Sequence, residues 1–237
     1  MQCLAKVVAI KRLTHDVKEI ALALISPPKL VFEAGQYIAI EVTEVHKGKA
    51  RQNNRPYSIV SPPEEEGVIK LCVNLVPGGP GSSYLHGLRI GDEVSFLQPF
   101  GYFTIKSQAE TALLFVATGT GVAPLYAMIK HLLNQGLERP MTLFWGLRSE
   151  RDIYYEQDFE ALSRQYSFFK FVITLSRPSA DWQGPRGRVT ELLLSQELDV
   201  EDLEAYLCGN MDMIRVVRGM LLEKGMPKRS VHFEKFY

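Results

Sequence analysis

Cysteine is scarce and unpatterned in this chain: Cys3, Cys72 and Cys208 lie far apart along its 237 residues. An odd, scattered set argues against a disulfide framework. No Cys-x-x-Cys or plant-type spacing is present to hold an iron–sulfur cluster. The 5 histidines include no His-Glu-x-x-His or other close pair, so no metal site is expected. Charge of one sign is missing too. Lys+Arg and Asp+Glu both number 27, so no strong overall field draws the chain to nucleic acid or to an anionic membrane. No apolar run approaches the length of a membrane span, and Met1-Gln2-Cys3-Leu4-Ala5-Lys6 lacks the layout of a signal peptide. These absences read as a cytoplasmic protein with a globular composition, long enough for one large domain or two ordinary ones.

What is present divides near Lys106-Ser107-Gln108-Ala109-Glu110-Thr111. Upstream, Val17–Leu24, Tyr37–Val42, Val68–Val73 and Glu93–Phe96 alternate as strands do. Turn residues such as Pro77-Gly78-Gly79-Pro80-Gly81 punctuate them. Short strands in this number predict a small antiparallel barrel over 1–107. Downstream, over 108–237, strand and helix alternate. Ala112–Ala117 is a continuous apolar run, as a parallel strand covered on both faces requires. Helices are expected over Val122–Gln135, Glu156–Gln165, Val189–Ser195 and Met211–Lys224. Further strands are expected at Met141–Trp145, Phe169–Leu175 and Ala205–Cys208. This is a doubly wound α/β pattern, whose ligands belong beyond the carboxyl ends of the strands, where Thr118, Gly146, Ser176 and Gly209 fall.

Two motifs carry most of the chemistry. Arg55-Pro56-Tyr57-Ser58 offers a cation, an aromatic face and a hydroxyl, which suit a flat, phosphorylated cofactor. On a strand, Arg55 and Tyr57 share a face while Ser58 points away. Gly119-Thr120-Gly121-Val122-Ala123-Pro124 follows the apolar strand and opens a periodic helix, the setting a dinucleotide pyrophosphate needs. Pro124 is tolerated because the first helical turn has unpaired N–H groups anyway. Gly81, Ser82 and Ser83 precede a short helix and offer N–H groups and hydroxyls to a phosphate; either serine could instead be a plain N-cap.

In this order the motifs resemble those of the ferredoxin–NADP+ reductase superfamily, over nearly the whole chain. Arg55–Ser58 resembles its flavin motif and Gly78–Leu85 its flavin-phosphate loop. Pro99-Phe100-Gly101-Tyr102-Phe103 is similar to its Gly-Pro-x-Gly-x-Phe segment, with Gln98 in place of the first glycine. Gly119–Pro124, with Thr118 before it, resembles the nicotinamide-nucleotide loop, Cys208-Gly209-Asn210-Met211 the late Cys-Gly motif, and Glu234–Tyr237 the acidic-aromatic terminus.

The resemblance implies a flavin-binding β-barrel, then an NAD(P)-binding α/β domain whose C-terminal tail returns to the flavin. It implies FAD rather than FMN, with Arg55 on a flavin phosphate, Tyr57 against the ring, Ser58 near N5 and Val73 along the ring edge. Ser82 would be the phosphate-binding hydroxyl and Ser83 a weaker candidate. Cys208 would approach the nicotinamide, Glu234 would position it or relay a proton, and Phe236 or Tyr237 would cover the flavin. Ser176 and Arg177, with Arg188 nearby, fall where relatives bind a 2′-phosphate, and their positive charge favours NADPH over NADH. Hydride would pass between NADPH and FAD, and single electrons to or from ferredoxin or flavodoxin. The alternatives are an NADH-dependent oxygenase reductase component, a free-flavin reductase, or a non-catalytic electron-transfer subunit.

Overall fold

The computed structural model describes residues 1–46, 49–106 and 111–236. They form two compact units, Met1–Ile105 with Tyr126–Asn134, and Lys106–Leu125 with Gln135–Tyr237. The expected 107/108 boundary lies outside the described residues, as does Tyr237.

The first unit contains β1 (Gln2–Arg12), β2 (Val17–Ser26), β3 (Tyr37–His46), β4 (Lys49–Ser58), β5 (Val68–Asn74), α1 (Pro80–Gly87) and β6 (Glu93–Phe100). The strands form one antiparallel sheet in the order β4-β3-β6-β1-β2-β5. Its two edges meet where Ile59 bridges Leu71 and Val60 N–H donates to Lys70 O at 2.9 Å. Alternate residues fill the barrel, among them Cys3, Ala5, Val7, Ile20, Leu22, Ile38, Ile40, Ile69, Leu71, Val94 and Phe96. Strand β1 is an addition to the expected set. Its Val7-Val8-Ala9-Ile10 run breaks alternation, and a register shift between Val7 and Ala9 absorbs the irregularity as a bulge would.

The second sheet contains β7 (Ala112–Thr118), β8 (Met141–Leu147), β9 (Phe169–Leu175), β10 (Leu203–Gly209) and β11 (Val231–Lys235), all parallel, in the order β11-β10-β7-β8-β9. Between them run α2 (Val122–Asn134), α3 (Glu156–Gln165), α4 (Val189–Leu194) and α5 (Met211–Glu223). Leu113–Ala117 are buried without a break, as a central strand demands. On one face Leu114, Val116 and Phe144 pack with Val189 and Leu193 of α4 and Ile214, Val217 and Leu221 of α5. Elsewhere Phe159 of α3 meets Trp145 and Phe169 at ring separations of 6.0 and 6.2 Å. The chain enters at β7, winds out to β9, then returns to β10 on the other side. The crevice between β7 and β10 is therefore the topological switch point, where ligands of such sheets bind.

Strand β11 was not foreseen from the sequence. It is short, and its partner is distant in sequence. Its register is firm nonetheless. Tyr206 stacks on His232 at 4.8 Å, and Phe236 N–H donates to Gly209 O at 2.8 Å. Among the described residues no helix is long and apolar enough to cross a membrane.

Candidate functional site

At the switch point the loops after β7 and β10 are built against one another. Thr118 Oγ1 accepts a hydrogen bond from Asn210 N–H at 2.9 Å. Asn210 in turn caps α5, its side chain accepting from the Asp212 and Met213 amides at 2.8 and 3.4 Å. A Cβ on Gly121 would collide with the Cys208 carbonyl oxygen and come within 2.6 Å of its carbon and 2.7 Å of Gly209 Cα. A Cβ on Gly209, whose φ is +132°, would collide with Thr118 Oγ1. Both glycines are thus required by close backbone approach. Gly119, at φ +52°, opens a single 3₁₀ turn that runs into α2, with Thr120 part-exposed above it and Pro124 inside the first helical turn. The outcome is a crevice edged by the N-termini of α2 and α5, whose positive dipole ends suit a pyrophosphate.

Cys208 and Glu234 are adjacent in register across β10 and β11. Cys208 is fully buried, and burial, followed by the Glu234 charge, pushes its thiol pKa well up. It is therefore a neutral thiol at physiological pH, unsuited to nucleophilic attack. Met211, the first residue of α5, is exposed.

Beyond β8 and β9, Arg148, Ser149, Glu150, Arg151, Arg177, Pro178 and Ser179 line an open cleft of about 690 Å³. Ser176 and Arg177 continue the pairing of those strands, their amides donating to Leu147 O and Arg148 O at 3.0 and 2.7 Å. The Ser176 hydroxyl also reaches Leu147 O, at 3.3 Å. Ser149 N–H and Oγ both donate to Asp152 at 2.9 and 2.7 Å, which shapes the turn carrying Arg148 and Arg151. Glu150 accepts from the Ser179 amide and hydroxyl at 2.8 and 2.7 Å. Those bonds, the hydroxyl's first, hold its carboxyl below the usual range. Its charge thus braces the Ser179 loop. Arg188, at the N-cap of α4, is not among the lining residues. Of the three arginines in this cleft, the sequence motif singled out only Arg177; Arg148 and Arg151 join it in the fold. The available signal was their place after the second strand, which mirrors that of Ser176-Arg177 after the third.

In the barrel unit, Tyr57 pairs with Ile38 and Arg55 with Ile40 across β3 and β4. Both therefore share a face with two core residues. Pro56 is exposed on the opposite face, and Ser58 is 5% exposed. The start of α1 closes on the same place: a Cβ on Gly81 would fall 2.6 Å from Tyr57 Oη and 2.9 Å from Arg55 Cγ. The missing methyl lets the start of α1 lie close against the Arg55 stem and the Tyr57 hydroxyl, so that helix-terminal N–H groups and a guanidinium are near enough to share a phosphate. Arg55 Nε and Nη2 donate to Glu44 Oε1 at 2.8 and 2.5 Å, and Arg55 holds the Glu44 carboxyl below its usual range.

The serine loop departs from the N-cap expectation. The N-cap of α1 is Gly79, so neither serine caps the helix. Ser82 is buried, and its Oγ accepts from Val76 N–H at 3.1 Å while lying 3.1 Å from Gly79 O. It holds the turn together, whereas Ser83 is exposed. Val73 places its side chain in the barrel core and its carbonyl 3.0 Å from His86 Nε2.

Comparison with known proteins agrees with this division. Residues 4–105 match the family described as an oxidoreductase FAD-binding domain, and 115–219 the family described as an oxidoreductase NAD-binding domain. The chain is 35% identical to ferredoxin–NADP reductase B of Sorangium cellulosum, over 98% of this chain and 96% of that one. It is 29% identical to the reductase component of propane 2-monooxygenase of Rhodococcus jostii, again over 98% of this chain but 62% of that longer protein. The Amycolatopsis cytochrome P450 reductase GcoB superposes over 100% of this chain and 70% of its own, with a TM-score of 0.87 and 27% identity. Barrel, switch-point crevice and both matched domains agree on one lineage, and the chain belongs to the ferredoxin–NADP+ reductase superfamily of FAD- and nicotinamide-nucleotide-binding oxidoreductases.

Proposed function

We propose that this protein transfers hydride between NADPH and bound FAD and exchanges single electrons with ferredoxin or flavodoxin. The observation that carries this reading is the braced switch-point crevice, where Gly121 lies against the Cys208–Gly209 backbone. FAD, when bound, supplies the chemistry that joins a two-electron hydride donor to one-electron partners. The chain's own residues bind and orient. Arg55 and the α1 terminus would hold the flavin phosphates, with Tyr57 against the ring and Ser58 near its N5 edge. The α2 and α5 termini would hold the nucleotide pyrophosphate. Cys208, as a neutral thiol, would pack against the nicotinamide, and Glu234 would position it or relay a proton.

The choice of NADPH rests on the cleft that Arg177 shares with Arg148 and Arg151. Three guanidinium groups suit a 2′-phosphate, and the one carboxylate among the lining residues already accepts from Ser179. Arg177→Ala is expected to raise KM for NADPH about tenfold or more, the size of a lost charge-assisted bond, and to leave KM for NADH within about twofold. Equal losses with both nucleotides would remove the phosphate assignment.

Anaerobic titration tests the whole reading. The visible flavin band of the purified protein should bleach with NADPH, less readily with NADH, and recover on adding oxidised ferredoxin or flavodoxin. A band that bleaches with neither nucleotide sinks the proposal. A second reading, a reductase component that serves an oxygenase, is favoured by the names of relatives such as the Rhodococcus protein. Under that reading the band bleaches, neither carrier restores it, and an oxygenase component does.

A further inference from the structure

We propose that Trp145 is a positioning residue for the nicotinamide nucleotide: its indole N–H fixes the Gly119–Thr120 peptide so that the Thr120 amide faces the pyrophosphate. This rests on the nucleotide reading above. Trp145, on β8, is 0% exposed. A buried indole N–H needs an acceptor, whereas a phenyl ring could fill much of that space without one. The acceptor is the Gly119 carbonyl, at 3.0 Å. That same oxygen also receives the Val122 amide as the 3₁₀ turn closes.

The consequence follows from peptide geometry. Among the described residues the only cis peptide bond is Ser26–Pro27, so the Gly119–Thr120 bond is trans. In a trans peptide, C=O and N–H point in opposite directions. With its oxygen drawn inward by Trp145 and Val122, this peptide directs the Thr120 N–H outward, as the first donors of a helix are directed. Turning the peptide over would present a carbonyl oxygen to an anion. It would also carry Thr120, whose φ is not positive here, into a region that a β-branched side chain resists. Trp145 adds its hydrogen bond to the same orientation and holds the carbonyl against smaller tilts.

The tryptophan is itself firmly held. Tyr154 meets its ring edge-on at 4.8 Å and Phe159 at 6.0 Å, with interplanar angles of 85° and 72°. Its backbone is in register with Ala117 on one side and Ile173 on the other. A rigid donor on an interior strand thus reaches under a loop that must keep its amides aimed.

The test uses the FAD-loaded protein with two replacements at this position. One is Trp145→Phe. The other is the benzothiophene analogue of tryptophan, which keeps the bicyclic shape and lacks the N–H. Both should raise KM for NADPH about tenfold, with kcat at saturation within about twofold and FAD content unchanged. Reduction by 1-benzyl-1,4-dihydronicotinamide, which carries no pyrophosphate, should proceed at the unsubstituted rate. An analogue with unchanged KM overturns the inference, as does an equal loss with the benzyl donor, which would mark a merely structural role. Should Trp145→Phe fail to fold, the analogue decides. If the unsubstituted protein is reduced by neither nucleotide, the reading beneath the inference has failed instead.

Discussion

Gly121→Ala is expected to slow reduction of the flavin at sub-saturating nicotinamide nucleotide about a hundredfold while leaving the flavin bound and reducible by dithionite. A methyl at this position meets backbone on every near side: the Cys208 carbonyl oxygen, its carbon at 2.6 Å and Gly209 Cα at 2.7 Å. Flexible side chains yield to such intrusion; strands and tight turns yield only by separating. The loops after β7 and β10 would part, weakening the bond from Asn210 N–H to Thr118 Oγ1. Overpacking of a dense interior costs about 1–3 kcal/mol, and backbone neighbours place this case at the upper end. A loss of ~3 kcal/mol in nucleotide binding corresponds to about a hundredfold rise in Kd. Calorimetry should show a Tm lower by roughly 5–10 °C, from the usual dependence for a chain of this size. Thr118→Val separates loop bracing from bulk. It keeps the shape, removes the acceptor, and should weaken nucleotide binding by up to about tenfold, as for one lost hydrogen bond. Near-normal nucleotide reduction in Gly121→Ala would place the pyrophosphate elsewhere.

The sequence was most legible where local pattern and function coincide. Leu113–Ala117 reads as a buried strand because both its faces are covered, and the following Gly119–Pro124 turn reads as a ligand loop because glycine there serves backbone approach. The ends of α3 and β9 were foreseen to the residue, since strong amphipathic or apolar runs bound them. What escaped depends on distant pairing. The adjacency of Cys208 and Glu234 follows from the β10–β11 register, which joins segments with α5 between them. The cleft escaped for a related reason. Arg148 and Arg151 precede Arg177 by a helix and a strand, and only the parallel β8–β9 pairing brings their loops together. Ser82 adds what the loop pattern did not carry: its hydroxyl also ties the turn together through Val76 and Gly79.

Gly81→Ala should yield protein that folds but purifies with little FAD. Gly81 is buried at the start of α1, behind Pro80, where the helix still has unpaired N–H groups. The added methyl would lie 2.6 Å from Tyr57 Oη, 2.9 Å from Arg55 Cγ and 3.0 Å from Arg55 Cβ. Arg55 has little freedom to retreat, since Nε and Nη2 both bond Glu44. Tyr57 has little more, because its ring packs on the barrel core. The helix terminus must therefore lift away, separating its amides from the guanidinium that would share a phosphate with them. Hydrogen bonds to charged groups contribute about 1.5–3 kcal/mol each, so one or two lost contacts imply a ten- to hundredfold or greater weakening of FAD. The barrel itself should survive, because Ile20, Leu22, Ile40 and Phe96 are untouched. The visible-to-ultraviolet absorbance ratio and an apoprotein titration with FAD measure the effect, and circular dichroism checks the fold. Full FAD occupancy with unchanged Kd would show that the flavin phosphates do not lie between α1 and Arg55. Arg55→Ala completes the argument, since it removes the cation without adding bulk. It should lose FAD as well, and if it alone does so, charge rather than the closeness of α1 is what the flavin site requires.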